Sequence, residues 1–291
     1  MREVRSGLRL RIRISDLMNG KDHKVLFVGE EQCNTQPCMK KKKYKRIKRV
    51  VILVSALALI IIGLGIFSAG SDDLVKQLQE EQEMDELAEE ENENGVDLLK
   101  KKYKDMVGWI KIPKTAFSYP VMQTKDDPQF YLHHNPKREY SFMGTPFLDA
   151  RCTMDSDNLI IYGHNINGRR MFGYLHGYRD KAFYDKHPVI WFTKVGEPKT
   201  AYDIVAVLVT DINSDIYGFT DVYTDSVYRE TIEKILRQSI YQTKEGKKLQ
   251  KEAEEMTDEE FFHKEKFITL STCRTADGHD ARLLIVGKKR F

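Results

Sequence analysis

The chain has 291 residues, 31% charged and 41% hydrophobic, with a formal net charge of +3, which excludes a wholly disordered polymer and a small disulfide-stapled scaffold. Its four cysteines are too few for a disulfide framework, and Cys33 and Cys38 are separated from Cys152 and Cys273 by a long apolar run. If that run crosses a membrane, the two pairs occupy different compartments, which excludes a metal site built from all four.

Residues 1–38 are mixed in character, with Arg and aliphatic residues alternating from Leu8 to Ile14 and no domain pattern. Met39, followed by four lysines and then the apolar run, has the form of an alternative start of translation. From Val50 to Ala69 there is no charged residue, and at 1.5 Å rise per residue this stretch spans a hydrocarbon core of roughly 30 Å. A transmembrane helix over 50–69 is the expectation. The basic cluster of Lys40 to Lys43, Lys45, Arg46, Lys48 and Arg49 before it, with acidic residues after it, predicts a cytoplasmic segment over 1–49 and an outward C-terminal part. The competing reading is a cleaved signal peptide, for which Ser68-Ala69-Gly70 could serve as the cleavage site, but such a peptide has an apolar core of only about 7 to 15 residues. A single-pass type II anchor is favoured.

Between residues 70 and 97 glutamates dominate, with Leu74, Leu78 and Leu87 as sparse apolar positions; this predicts an extended or partly helical acidic stalk that holds a domain off the membrane. Residues 98–291 have the length of one domain with a sizeable core. Short β-rich runs recur at Trp109–Ile112, Tyr119–Met122, Pro146–Leu148, Leu159–Tyr162, Val189–Thr193, Tyr202–Val209, Phe267–Ser271 and Arg282–Val286. Helical patterns are fewer, near Leu98–Met106, Gln129–His133 and Val227–Tyr241, the last with one apolar face. The expectation is a mainly β domain, a barrel of eight strands with peripheral helices. There is no glycine-rich phosphate cradle and no paired-histidine metal motif, so neither cofactor nor metal is expected. The outer domain has no basic stripe interleaved with aromatics, so no nucleic acid is expected either.

Three residues carry candidate chemistry. Cys273 closes the apolar run Phe267 to Thr272 beside a polar loop; alone, it reads more readily as a small buried hydrophobe, and it needs partners to become a nucleophile. His164 follows the apolar run Leu159–Ile161 within Tyr162-Gly163-His164-Asn165, at a strand end where an imidazole can lean into a cleft, whereas the other histidines lack that setting. His279, close to Cys273 in sequence, is the rival base. Arg282 opens the last apolar run, so antiparallel pairing of the final two strands would bring it near Cys273, where a guanidinium can stabilise a developing oxyanion. Arg274 is a second candidate, on the opposite face if the strand continues.

Taken together, these motifs resemble the sortase family, specifically class B. The residues carrying the resemblance are Thr269-Leu270-Ser271-Thr272-Cys273 with Arg282 nine positions on, Tyr162-Gly163-His164-Asn165, Met171-Phe172-Gly173, Gly108-Trp109-Ile110-Lys111-Ile112-Pro113, Tyr131-Leu132-His133-His134-Asn135 and Phe147-Leu148-Asp149, over roughly Leu98 to Phe291. The long insertion between Val209 and Phe267 fits the same class. The resemblance implies a sortase-type barrel and a cysteine transpeptidase of the Gram-positive cell surface. Cys273 would attack a peptide carbonyl in the C-terminal sorting signal of secreted surface proteins, His164 would be the general acid, and Arg282 would steady the signal's backbone and the oxyanion. A lipid-linked peptidoglycan precursor would be the amine acceptor, with Tyr162 and Ser271 as substrate-pocket walls. Arg274 departs from the acidic or small polar residue found there in other class B members, and Cys152 has no family role. A cysteine peptidase, and a non-catalytic or pilus-assembly module on the same barrel, are the alternatives.

Overall fold

The computed structural model describes residues 72, 74–92, 95–166, 170–273 and 280–290. The membrane-spanning helix expected over 50–69 lies outside the described residues, as does the alternative start at Met39; among the described residues no helix is long and apolar enough to cross a membrane.

Eight strands close a barrel: β1 (Met106–Lys111), β2 (Ser118–Met122), β3 (Phe147–Leu148), β4 (Asn158–Gly163), β7 (Val189–Lys194), β8 (Thr200–Asp211), β9 (Phe267–Cys273) and β10 (Ala281–Lys289). Their order around the barrel is β1-β2-β3-β4-β9-β10-β8-β7. The barrel is mixed, because β2 pairs with β3, and β4 with β9, in parallel. Each expected β run corresponds to one of these strands. A two-stranded ribbon, β5 (Asn165–Ile166) with β6 (Arg170–Met171), follows β4.

The near-continuous apolar character of β9 and β10 has a geometric cause. Ile268, Leu270, Leu283 and Ile285 point into the barrel core, while the alternate residues Phe267, Leu284 and Val286 join a second core outside it. Strand β8 changes face partway along: Ile204 and Val207 belong to the inner core, but Val205 and Ala206 both belong to the outer one. The ladder with β10 shifts register between Val286 and Gly287, and that bulge absorbs the extra residue.

The outer core is roofed by the insertion between β8 and β9, which carries α4 (Asp225–Arg237), α5 (Lys244–Glu255) and α6 (Asp258–Phe261). Tyr228, Ile232 and Ile235 form the buried face of α4, and burying each contributes about 1.5–3 kcal/mol. A capping box between Thr257 and Glu260 starts α6, and the Thr243 hydroxyl accepts from the Gly246 amide at 2.9 Å to start α5. The helix expected over Leu98–Met106 is shorter, α2 (Val96–Lys102), because Met106 already belongs to β1. The stretch near Gln129–His133 is a 3-10 turn over Phe130–Leu132. Another short helix, α3 (Lys181–Lys186), precedes β7.

The acidic segment is helical over 74–92, here α1. Met84 and Leu87 are buried, and Leu87 joins a third apolar cluster with Leu99, Tyr103, Trp109, Met122, Tyr131 and Phe147. Its acids meet partners on the domain: Glu90 pairs with Lys102 at 3.0 Å, Glu81 with Arg170 at 3.0 Å and Glu83 with Lys137 at 3.5 Å.

Candidate active site

Three adjacent strands end together at one rim of the barrel. The parallel ladder of β4 with β9 runs from Asn158↔Phe267 to Tyr162↔Ser271 and Gly163↔Thr272, so His164 follows one step beyond, at the level of Cys273. On the other side, the antiparallel ladder places Arg282 directly opposite Cys273. Backbone register therefore brings His164, Cys273 and Arg282 to the same rim, although 109 positions of sequence separate the first two. His279 and Arg274 lie outside the described residues.

His164 is half-buried. Its backbone carbonyl accepts from the Phe172 amide at 2.9 Å, which ties it to the chain after β6. The ring of Phe172 packs so tightly on Gly163 that a β-carbon there would lie 2.5 Å from it, so only glycine fits just before the histidine. Nε2 of His164 is buried with no hydrogen-bond partner among the described residues. Burial pushes the imidazole below its ordinary pKa, the neighbouring His133 pushes the same way, and the Leu132 carbonyl opposes both. The His133 and His164 ring centroids are 5.2 Å apart. His133 has no strand-end position, but the turn that carries it brings its ring against that of His164.

A groove of about 600 Å³ opens beside this rim, and Arg282, Tyr162, Gly163, Ser271 and Thr272 line it. Tyr162 and Ser271, both singled out in the sequence, are thus brought together, facing each other in the β4–β9 ladder. Phe147, Asp149, Arg151, Asn213 and Tyr217 complete much of the wall; Phe147 and Asp149 lie in a motif that carries the resemblance but had no assigned role, and Arg151, Asn213 and Tyr217 carry no signal in the sequence. Tyr217 comes from the insertion after β8; its ring stacks on Tyr162 with centroids 6.2 Å apart, and its hydroxyl meets Ser271 Oγ at 2.8 Å. Below them Tyr162 donates to Asp149 Oδ2 at 2.8 Å. Arg151 grips the same carboxylate with two bonds, Nε to Oδ1 at 2.9 Å and Nη2 to Oδ2 at 2.7 Å, and also donates to the Tyr217 carbonyl at 2.9 Å. Burial alone would raise the Asp149 pKa; the bidentate guanidinium and the Tyr162 hydroxyl overcome it and hold the carboxyl below its usual range. The result is a groove wall that is part apolar and part polar, in which Tyr162, Asp149, Arg151, Tyr217 and Ser271 hold one another through hydrogen bonds.

Cys152 is fully buried. Its Sγ lies 3.4 Å from the Asn158 carbonyl oxygen, and burial pushes its pKa up to about 11, which removes it as a nucleophile near neutral pH.

The sortase domain family matches residues 110–290 of the chain. Among curated proteins, Sortase B of Listeria monocytogenes is 33% identical over 194 residues, covering 65% of this chain and 72% of that one. Sortase B of Staphylococcus aureus is 31% identical over 194 residues, covering 66% and 72%. Among solved structures, a Staphylococcus aureus sortase B–substrate complex superposes with a TM-score of 0.63 at 26% identity, over 74% of this chain and 98% of that chain. Sortase B from Listeria monocytogenes gives 0.53 at 34% identity, over 66% and 98%. Matched along most of the barrel and across the strands that form the Cys273 rim, the chain belongs to the sortase family as a class B sortase, a cysteine transpeptidase.

Proposed function

We propose that Cys273, His164 and Arg282 carry the transpeptidation, that the adjoining groove receives a C-terminal sorting signal of secreted surface proteins, and that a lipid-linked peptidoglycan precursor supplies the accepting amine. The observation that carries this reading is the shared register of the three positions at the ends of β4, β9 and β10. In the first half-reaction the Cys273 thiolate adds to the scissile carbonyl carbon, forming a C–S bond, and Arg282 steadies the negative charge on the oxygen. The C–N bond then breaks as the imidazolium of His164 gives its proton to the leaving amine, leaving a thioester. In the second half-reaction the incoming amine adds to the thioester, His164 takes its proton, and the C–S bond breaks to return the thiolate. Tyr162 and Ser271, opposite one another on the groove wall, are placed to contact the signal.

The domain division follows the sequence: a cytoplasmic basic segment over 1–49, a transmembrane helix over 50–69, an acidic juxtamembrane segment over 70–97 and an extracellular catalytic domain over 98–291. Such an enzyme sits in the membrane as a single-pass type II protein and meets secreted substrates at the outer surface of a Gram-positive cell. That both curated relatives are Sortase B proteins supports transfer to an amine over hydrolysis, so the peptidase alternative is not favoured.

The test incubates the full chain, in detergent micelles, with a library of fluorogenic sorting-signal peptides, with and without an amine acceptor, followed by mass spectrometry. The expected result is an acyl adduct on Cys273 and product that is mainly amide when amine is present. Cleavage at equal rates with and without amine would replace this reading with hydrolysis.

A further inference from the structure

The juxtamembrane helix reaches the catalytic rim through one carboxylate. Glu80 on α1 accepts three hydrogen bonds from a single turn of the domain: from Ser141 Oγ at 2.9 Å, from the Phe142 amide at 3.2 Å and from the Met143 amide at 3.0 Å. Ser141 Oγ in turn accepts from the Gly144 amide at 3.1 Å. Gly144 is left-handed, with φ +62°, and a β-carbon on it would lie 2.3 Å from the carbonyl oxygen of Leu132. This backbone therefore rests directly against the carbonyl that favours the proton on His164. Flanking bonds lock the two stretches together: the Ser141 amide donates to the His133 carbonyl at 2.9 Å, and the Thr145 amide to the Tyr131 carbonyl at 2.9 Å.

The contacts thus run from Glu80 through the 141–144 turn to Leu132 and so to His164. A carboxylate accepting from two backbone amides and a hydroxyl fixes the shape of a turn more firmly than water does, because each charge-assisted bond is directional. Glu80 is also distinct from its neighbours on α1. Glu81, Glu83 and Glu90 pair with the side chains of Arg170, Lys137 and Lys102, contacts that tether the helix without shaping a backbone turn.

We infer that Glu80 is a positioning residue for His164, acting through the 141–144 turn and the Leu132 carbonyl, so that the segment joining the anchor to the barrel is part of the catalytic arrangement. This rests on the reading of His164 as general acid. The side chain orients the acid without touching substrate, and small displacements of a catalytic group cost rate disproportionately.

The test uses the full chain in detergent micelles, labelled with 15N-histidine, as wild type, Glu80→Gln, Glu90→Gln and His164→Ala. For Glu80→Gln the expected result is a His164 titration midpoint lower by roughly half a pH unit, because the support of the carbonyl for the imidazolium weakens. The same variant should lose roughly tenfold in kcat with KM within about twofold, whereas Glu90→Gln should change neither. A Glu80→Gln protein with the wild-type His164 midpoint overturns the inference, even if its Tm falls, since that would mark a purely structural contact. Equal losses in Glu80→Gln and Glu90→Gln would also overturn it, by assigning the effect to helix docking in general. Full activity in His164→Ala would instead bring down the general-acid reading, and the imidazole titration, which needs no turnover, would still report on positioning by Glu80.

Discussion

Arg282 stands directly across from Cys273 in the antiparallel β9–β10 ladder, and the pairing continues unbroken through Leu283↔Thr272 and Leu284↔Ser271. A residue held by a sheet of this length cannot drift relative to its partner without breaking backbone hydrogen bonds in the barrel wall. That gives the guanidinium a rigid base, which a charge-stabilising group needs if it is to cost no reorganisation during reaction. A lysine would supply the charge from a single rotating point and lose the planar fork. Arg282→Lys should therefore fall roughly tenfold to a hundredfold in kcat while keeping the wild-type Tm, measured by ligation kinetics and thermal melting. Wild-type rates in Arg282→Lys would remove the residue from the reaction.

The electrostatics of His164 set a pH dependence whose sign is fixed. Burial first, and then the charge available on His133, hold the imidazole below its ordinary 6.5. The unfolded chain therefore takes up this proton at a higher pH than the folded chain does. The resulting contribution to stability is complete above about 6.5 and is lost as the pH falls through the window below it. The limb of the pH–rate profile governed by His164 should likewise lie below 6.5. His133→Gln removes the neighbouring charge and should move that limb to higher pH. Profiles of kcat/KM for the two proteins check this, and an unmoved limb in His133→Gln would show that the 5.2 Å ring separation carries no electrostatic coupling.

The barrel was legible in the sequence because its strands are written in the strongest local signal available, short β-branched and aromatic runs between turns. The pairing of β9 with β10 was legible for the same reason, and that pairing alone puts Arg282 beside Cys273. Helix α5 was not, since its sequence is almost wholly polar and only Gly246, Leu249 and Ala253 are buried. The acidic stretch hid its docking in a similar way: its buried contacts are Met84 and Leu87, too few to outweigh the glutamates in a compositional reading. The groove wall was illegible for a different reason. Tyr217 meets Ser271 from 54 positions away, and Asp149 meets Tyr162 across two strands, so no local periodicity encodes either contact. His133 was missed because a strand-end rule favours residues on strands, and it sits just after the 3-10 turn over Phe130–Leu132.

The buried thiol should be chemically silent. Cys152 is fully buried with its pKa pushed up to about 11, so at pH 8 almost none is thiolate and reagent has no access. Iodoacetamide treatment of the folded protein, followed by peptide mapping, should leave Cys152 unmodified until denaturant is added. Cys152→Ala should retain amine-dependent ligation within about threefold, since it removes one small buried group and costs of the order of 1 kcal/mol in stability. Modification of Cys152 in the folded state, or loss of ligation in the alanine variant, would give this thiol a role that its surroundings deny it.

Gly163 offers the sharpest test of how the rim is held. A β-carbon there would lie 2.5 Å from two carbons of the buried Phe172 ring, and the Phe172 amide donates to the His164 carbonyl at 2.9 Å. In Gly163→Ala the ring must yield, and because its own backbone is bonded to His164 the displacement passes to the histidine. Overpacking of this kind costs about 1–3 kcal/mol, so Tm and kcat should both fall. If the clash is the cause, trimming the ring should relieve it: Phe172→Leu in the Gly163→Ala background should recover activity relative to Gly163→Ala, although Phe172→Leu alone is destabilising. The two changes would then couple with a sign opposite to simple addition, which a double-mutant cycle reads directly. Additive losses would mean that the ring and the glycine act on the rim independently, and that His164 is held chiefly by the turn around Leu132.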